Sequence, residues 1–99
     1  ARGACPSYLH AVAAHRAFWA GREVPDTWIK MRQIVEFWQA RGVDGFRFDM
    51  AEMVPVEFFS YLNSQLKSTR PDTLLIAEIY QPDLYAAFLD QGLMDLLYD

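Results

Sequence analysis

Apolar residues recur at helical spacing from Trp28 onward. Trp28, Met31, Val35 and Trp38 form one stripe, and Ile34 and Phe37 widen it. That period predicts an amphipathic helix over 26–41. Asp26 has the carboxylate of an N-cap, Arg41 suits the C-terminal dipole, and Gly42 suits a left-handed stop. At 43–49 (VDGFRFD) the pattern changes to alternation, so Phe46 and Phe48 face one way and Gly45, Arg47 and Asp49 the other. This reads as a strand. A loop over 50–55 leads to a helix over 56–68, with Phe59, Leu62 and Leu66 as its apolar face. The 69–72 segment (TRPD) is a turn. The following 73–79 (TLLIAEI) is nearly all apolar, as in a parallel strand covered on both faces. Gln81, Pro82 and Asp83 open another helix that runs to about Gln91, with Gly92 as its stop. Residues 93–99 approach a third strand.

Upstream, residues 8–19 are rich in Ala and free of Gly and Pro, which fits a helix with a ragged apolar face. Gly21 and Pro25 close that segment. The order helix, strand, helix, strand, helix, strand with short loops predicts an α/β fold with a parallel sheet. Two regions follow: an N-terminal segment 1–20, helical in part, and a region 21–99 that carries the alternation.

Composition changes the picture in one respect. The chain of 99 residues is 53% hydrophobic and 15% aromatic, too apolar for disorder. A domain of this size buries only roughly 60–65% of its unfolded surface. Either the core is unusually tight, or much of this apolar surface packs on something outside these residues. The balance of 13 acids against 9 bases gives a net charge of −4, with no Lys/Arg run. Neither a nucleic-acid surface nor an anionic-membrane surface is expected. No stretch of 18 apolar residues could span a bilayer. The single cysteine, Cys5, excludes an internal disulfide and a cysteine-based zinc site. The first residue is Ala rather than Met, as in a processed or partial chain. Nothing in the residues fixes a compartment.

Candidate chemistry concentrates at two strand ends. Arg47 and Asp49 share a face that an enclosed sheet would keep apolar, so they need a partner or a solvated site. A guanidinium beside a carboxylate favours its ionised form. Glu78 ends the apolar run as a lone carboxylate, and burial beside an ionised Asp would raise its pKa. An ionised Asp49 and a protonatable Glu78 have the divided roles of glycosidase carboxylates, at the strand C-termini where such folds place active sites. The plainer reading makes each a helix cap or a loop solvator. His10 and His15 read as helix-surface residues with no metal spacing. Met50, Met53, Phe58 and Phe59 read as core or cleft wall. Glu52 and Glu57 read as cleft-lining acids or, more simply, as loop and helix-start acids, where acids favour the dipole.

These residues have a familiar pattern. GVDGFRFDMAEMVP (42–55) resembles the segment around the fourth barrel strand of the α-amylase family of retaining glycoside hydrolases, and LLIAEIY (74–80) resembles its fifth-strand segment. The resemblance covers about residues 24–99 and not 1–20. It implies a partial (β/α)₈ TIM barrel, about two and a half βα units around the fourth and fifth strands. It implies Asp49 as nucleophile, Glu78 as general acid/base and Arg47 as the substrate-site arginine beside the nucleophile. The implied substrates are α-glucans and related oligosaccharides. No cofactor is implied. Calcium, which some members bind near this segment, has no supporting residues here. Many α-amylases carry Lys-His where this chain has Glu52 and Met53. The family's third acid, near the seventh strand, falls outside the chain. A whole barrel needs roughly 250 residues. The resemblance therefore implies an incomplete catalytic domain with little activity alone and unpaired edges open to self-association. The alternative is a non-catalytic, barrel-derived binding or assembly module.

Overall fold

A computed structural model of the chain describes Arg2 and residues 5–99. Helix α1 spans Pro6–Trp19 and helix α2 spans Asp26–Ala40. Strand β1 (Gly45–Phe48) is followed by a 3-10 turn, Ala51–Met53, and helix α3 (Val56–Thr69). Strand β2 (Leu74–Glu78) leads through a second 3-10 turn, Pro82–Leu84, to the short helix α4 (Tyr85–Asp90) and strand β3 (Leu96–Tyr98). The strands lie in the order β1-β2-β3, both pairs parallel. The fold is α/β, with a three-stranded parallel sheet compatible with part of a barrel.

Alternation along the strands decides which face is dry. Phe46 and Phe48 on β1 and the fully buried Leu75 and Ala77 on β2 turn toward the helices. They meet Phe58, Phe59, Leu62 and Leu66 of α3. Phe48 and Phe59 pack edge to face with centroids 5.0 Å apart. The opposite face holds Arg47, Leu74, Ile76, Leu96 and Tyr98, of which Leu96 is 52% exposed. This uncovered face accounts for part of the apolar excess in the composition. The outer side of α2 accounts for more, with Met31, Ile34, Phe37 and Trp38 all exposed. Gly45 is required where β1 meets β2, because a Cβ there would stand 2.8 Å from the Leu74 carbonyl oxygen.

Helix α2 is docked by a buried amide as well as by apolar contact. Gln39 Nε2 donates to the Leu66 carbonyl and to Thr73 Oγ1, each at 2.9 Å. Gly42 ends α2 with φ +94°, which returns its own N–H and that of Val43 to the carbonyls of Gln39 and Trp38. Helix α1 lies on α3. There Tyr8, Val12 and Leu93 form a second small cluster, and Tyr8 Oη donates to the Leu93 carbonyl at 2.7 Å.

Three local expectations are corrected. Asp26 is the first helical residue, not the cap. Pro25 supplies the extended cap backbone, its carbonyl takes the first N–H groups, and the Asp26 carboxylate pairs with Lys30 instead. Gly92 is not left-handed. The positive φ belongs to Leu93 (φ 59°), and Gly92 is needed because a Cβ would stand 2.7 Å from the Phe88 carbonyl oxygen. His15 is not a plain surface residue. It is half-buried, with Nδ1 2.8 Å from Ser60 Oγ, and Trp19 Nε1 donates to the same hydroxyl at 2.8 Å.

Candidate active site

The two strand ends come together through sheet register. Phe48 pairs with Ala77, so the next residues along, Asp49 and Glu78, stand side by side, and Glu78 pairs in turn with Tyr98. One step earlier on the same face, Arg47 lies beside Ile76. Parallel pairing and the two-residue period thus place all the expected site residues at the C-terminal end of the sheet.

Arg47 links the carboxylates. Its Nη2 lies 3.0 Å from Asp49 Oδ1 and 3.4 Å from Glu78 Oε2. Oxygens that share one nitrogen at these distances are at most about 6.4 Å apart, a bound that admits the roughly 5–5.5 Å of a retaining carboxylate pair. The Arg47 Nε also donates to Tyr98 Oη, and its guanidinium lies 5.3 Å from the Tyr98 ring centroid. The two carboxylates differ in access. The Asp49 side chain is 69% exposed, while that of Glu78 is 11% exposed and is ringed by donors.

Those donors overturn the expected direction for Glu78. Its Oε1 accepts the Met50 N–H at 2.8 Å, and its Oε2 accepts the Tyr80 hydroxyl at 2.8 Å and faces Arg47. The Met50 amide, then the Tyr80 hydroxyl, hold Glu78 below the usual carboxylate range. Burial pushes the other way but is outweighed, and Arg47 adds to the lowering. Sequence pattern could not supply these donors, because neither comes from a residue with a charged partner role. Met50 reaches Glu78 through a left-handed backbone (φ 47°). The Tyr80 hydroxyl is in turn held above its ordinary pKa, first by its bond to Glu78.

Two further residues, Tyr98 and Glu52, belong to this end of the sheet. Tyr98, at the end of β3, braces Arg47. Glu52 lies in the loop after β1 and accepts three bonds from the loop after β2: Tyr80 N–H at 2.7 Å, Gln81 N–H at 3.2 Å and Gln81 Nε2 at 3.2 Å. The Tyr80 amide, then Gln81, lower its pKa. A carboxylate three residues after Asp49 was the available signal. Met53 is 73% exposed and lies outside the core. Among the described residues no group of three or more His, Cys, Asp or Glu is arranged to hold a metal ion. None of the described helices is long and apolar enough to cross a membrane.

Known proteins similar to this chain include a glucan maltosyltransferase, an α-amylase and a neopullulanase. An α-1,4-glucan:maltose-1-phosphate maltosyltransferase of Burkholderia pseudomallei is 32% identical over 63 residues, 64% of this chain and 6% of that protein. Alpha-amylase 3 of Dictyoglomus thermophilum is 31% identical over 70 residues, 65% of this chain and 14% of that protein. Neopullulanase 2 of Thermoactinomyces vulgaris is 33% identical over 58 residues, 59% of this chain and 10% of that protein. The chain thus spans a small part of the length of each relative. No family model matches it, and no solved structure matches it.

Proposed function

We propose, taking the chain as the member of the α-amylase family that these relatives make it, that it carries the nucleophile and the acid/base of retaining α-glycoside hydrolysis or transfer. Asp49 attacks the anomeric carbon while Glu78 gives its proton to the departing glycosidic oxygen, so one C–O bond forms as another breaks. Water or an acceptor hydroxyl then gives its proton to Glu78 and releases the glycosyl ester, with net retention. Arg47 pairs with Asp49 and aims it. The substrate is an α-glucan or maltooligosaccharide. The fold is a partial (β/α)₈ barrel with its fourth and fifth strands in β1 and β2.

One observation carries this reading. A single guanidinium nitrogen bridges two carboxylates at the C-terminal end of a parallel sheet, the more exposed one free to attack and the more enclosed one held by donors. The Met50 amide and the Tyr80 hydroxyl favour the ionised form of Glu78, against the proton an acid must give. A further carboxylate facing it would raise its pKa, and the family resemblance puts one near the seventh strand, outside these residues. The chain alone is therefore expected to have little activity.

The test uses both lengths. In a barrel-length protein that contains these residues, Asp49→Asn and Glu78→Gln each lower sugar release from maltooligosaccharides by roughly 10²–10⁴-fold. Unchanged release in both variants refutes the assignment. For the 99-residue chain, robust turnover that Asp49→Asn abolishes would refute its expected inactivity.

A further inference from the structure

Among the described residues Glu52 makes no hydrogen bond or ion pair with Asp49 or Arg47, yet it joins the segments that carry the Met50 and Tyr80 donors to Glu78. It belongs to the 3-10 turn Ala51–Met53 that follows β1, and its carboxylate takes three bonds from Tyr80 and Gln81, just past the end of β2. One side of this clip carries Met50, whose N–H bonds Glu78 Oε1; the other side carries Tyr80, whose hydroxyl bonds Glu78 Oε2. Both donors to Glu78 therefore sit within two residues of a Glu52 bond or of Glu52 itself.

We propose that Glu52 is a positioning residue for Glu78: it clips the loop after β1 to the loop after β2, and so presents the Met50 N–H and the Tyr80 hydroxyl to the Glu78 carboxylate. The geometry stands without any catalytic role for Glu78; its consequence for catalysis rests on the reading above. Besides these donors, Glu78 faces Arg47 and Asp49 from the β1 side and Tyr98 from β3. Glu52 adds a second negative charge nearby. Its charge and its clip act on Glu78 with opposite signs. The charge favours the protonated form, while the clip, through the donors, favours the ionised one.

Three variants of the 99-residue chain separate the two. Glu52→Asp keeps the charge and shortens the reach. Glu52→Gln keeps the reach and removes the charge. Glu52→Ala removes both. The readouts are the titration of the Glu78 side-chain carboxyl by ¹³C NMR and the hydrogen exchange of the Met50 and Tyr80 amides. Positioning moves the Glu78 titration upward in Glu52→Asp and Glu52→Ala, and leaves it or lowers it in Glu52→Gln. Exchange at Tyr80 and at Met50 quickens about tenfold or more in the Asp and Ala variants. A titration unchanged in Glu52→Asp, or a Met50 amide that keeps its protection there, overturns the proposal and leaves Glu52 a through-space charge. The Asp and Gln variants carry the test even if Glu52→Ala does not fold. Neither readout uses turnover, so a failed glycosidase reading and a failed clip give different results.

Discussion

The two ends of the same three strands carry opposite kinds of charge cluster. At the N-terminal end, Lys67 Nζ meets Asp95 Oδ2 at 2.7 Å with side chains 0% and 2% exposed. The Leu75 N–H and the Arg2 N–H complete that carboxylate, and the Pro71 carbonyl accepts from Lys67 at 3.3 Å. At the C-terminal end, Arg47 serves two carboxylates, and one of them is mostly exposed. The first cluster is dry and closed around itself. The second is wet and keeps Asp49 open to an incoming atom. Burial with every polar atom partnered fixes the fold, whereas charge left accessible has little structural return and is available for chemistry.

The largest expected effect breaks the closed end. Lys67→Met leaves Asp95 as a buried, uncompensated charge and lowers unfolding free energy by about 3–5 kcal/mol. Urea denaturation at neutral pH measures it. Asp49→Asn at the open end changes the same quantity by less than about 1 kcal/mol. Equal losses from the two variants would erase the distinction.

Next in size is the tie between α1 and the turn before β3. Tyr8→Phe removes the one side-chain donor to the Leu93 carbonyl among the described residues, from a side chain 4% exposed. The cost is about 1–2 kcal/mol, since a buried acceptor loses its partner. The Tyr8 hydroxyl is driven far above its ordinary pKa by burial, then by Asp95, so it remains a donor throughout the working pH range. Denaturation of Tyr8→Phe beside wild type checks this. A loss as large as that of Lys67→Met would make α1, rather than the ion pair, the main support of the closed end.

How much of this was legible follows from the range of each interaction. Helix periods and strand alternation are local, so α2, α3, β1 and β2 were readable to within about two residues. Asp49, Glu78 and Arg47 were readable because charge in an apolar strand context is anomalous, and the parallel register then brought them together. The donors were not readable. The Met50 N–H reaches Glu78 only because residue 50 takes a left-handed turn, and a non-glycine there gives no signal. The reversal of the Glu78 shift follows from that one gap: burial was visible in the sequence, but backbone hydrogen bonds were not. Lys67 and Asp95 were equally silent, because 28 residues separate them and each is ordinary in its own segment. The Ser60 partner of His15 lies 45 residues away, beyond any helical period.

The open end is expected to show itself through acid. Glu78 and Glu52 both sit below their ordinary range in the folded chain, so folding binds fewer protons than unfolding does. Their contribution to stability is complete above the unfolded carboxylate pKa, about 4.3 for Glu, and is lost as pH falls through the folded values. Tyr80→Phe deletes one donor to Glu78 and so shrinks that acid-linked loss, while stability at neutral pH falls only slightly. Denaturation midpoints from pH 7 down to 3 give the measurement. An identical acid profile in Tyr80→Phe would mean that Met50 and Arg47 set the state of Glu78 without Tyr80.

The smallest effect separates a third kind of site from both ends. Burial lowers the pKa of His15, whose ring meets Ser60 between α1 and α3. A histidine that resists protonation when folded binds fewer protons than its unfolded form does. Its stabilisation is therefore present above the unfolded value of about 6.5 and fades as pH falls below it. That window lies above the carboxylate window, so the two contributions separate on one pH axis. His15→Gln, which keeps a polar contact to Ser60 without a titration, flattens the stability curve as pH falls below about 6.5 and leaves the lower acid limb in place. If the limb below pH 5 moved instead, the protons would be binding at the open end of the sheet and His15 would be a bystander.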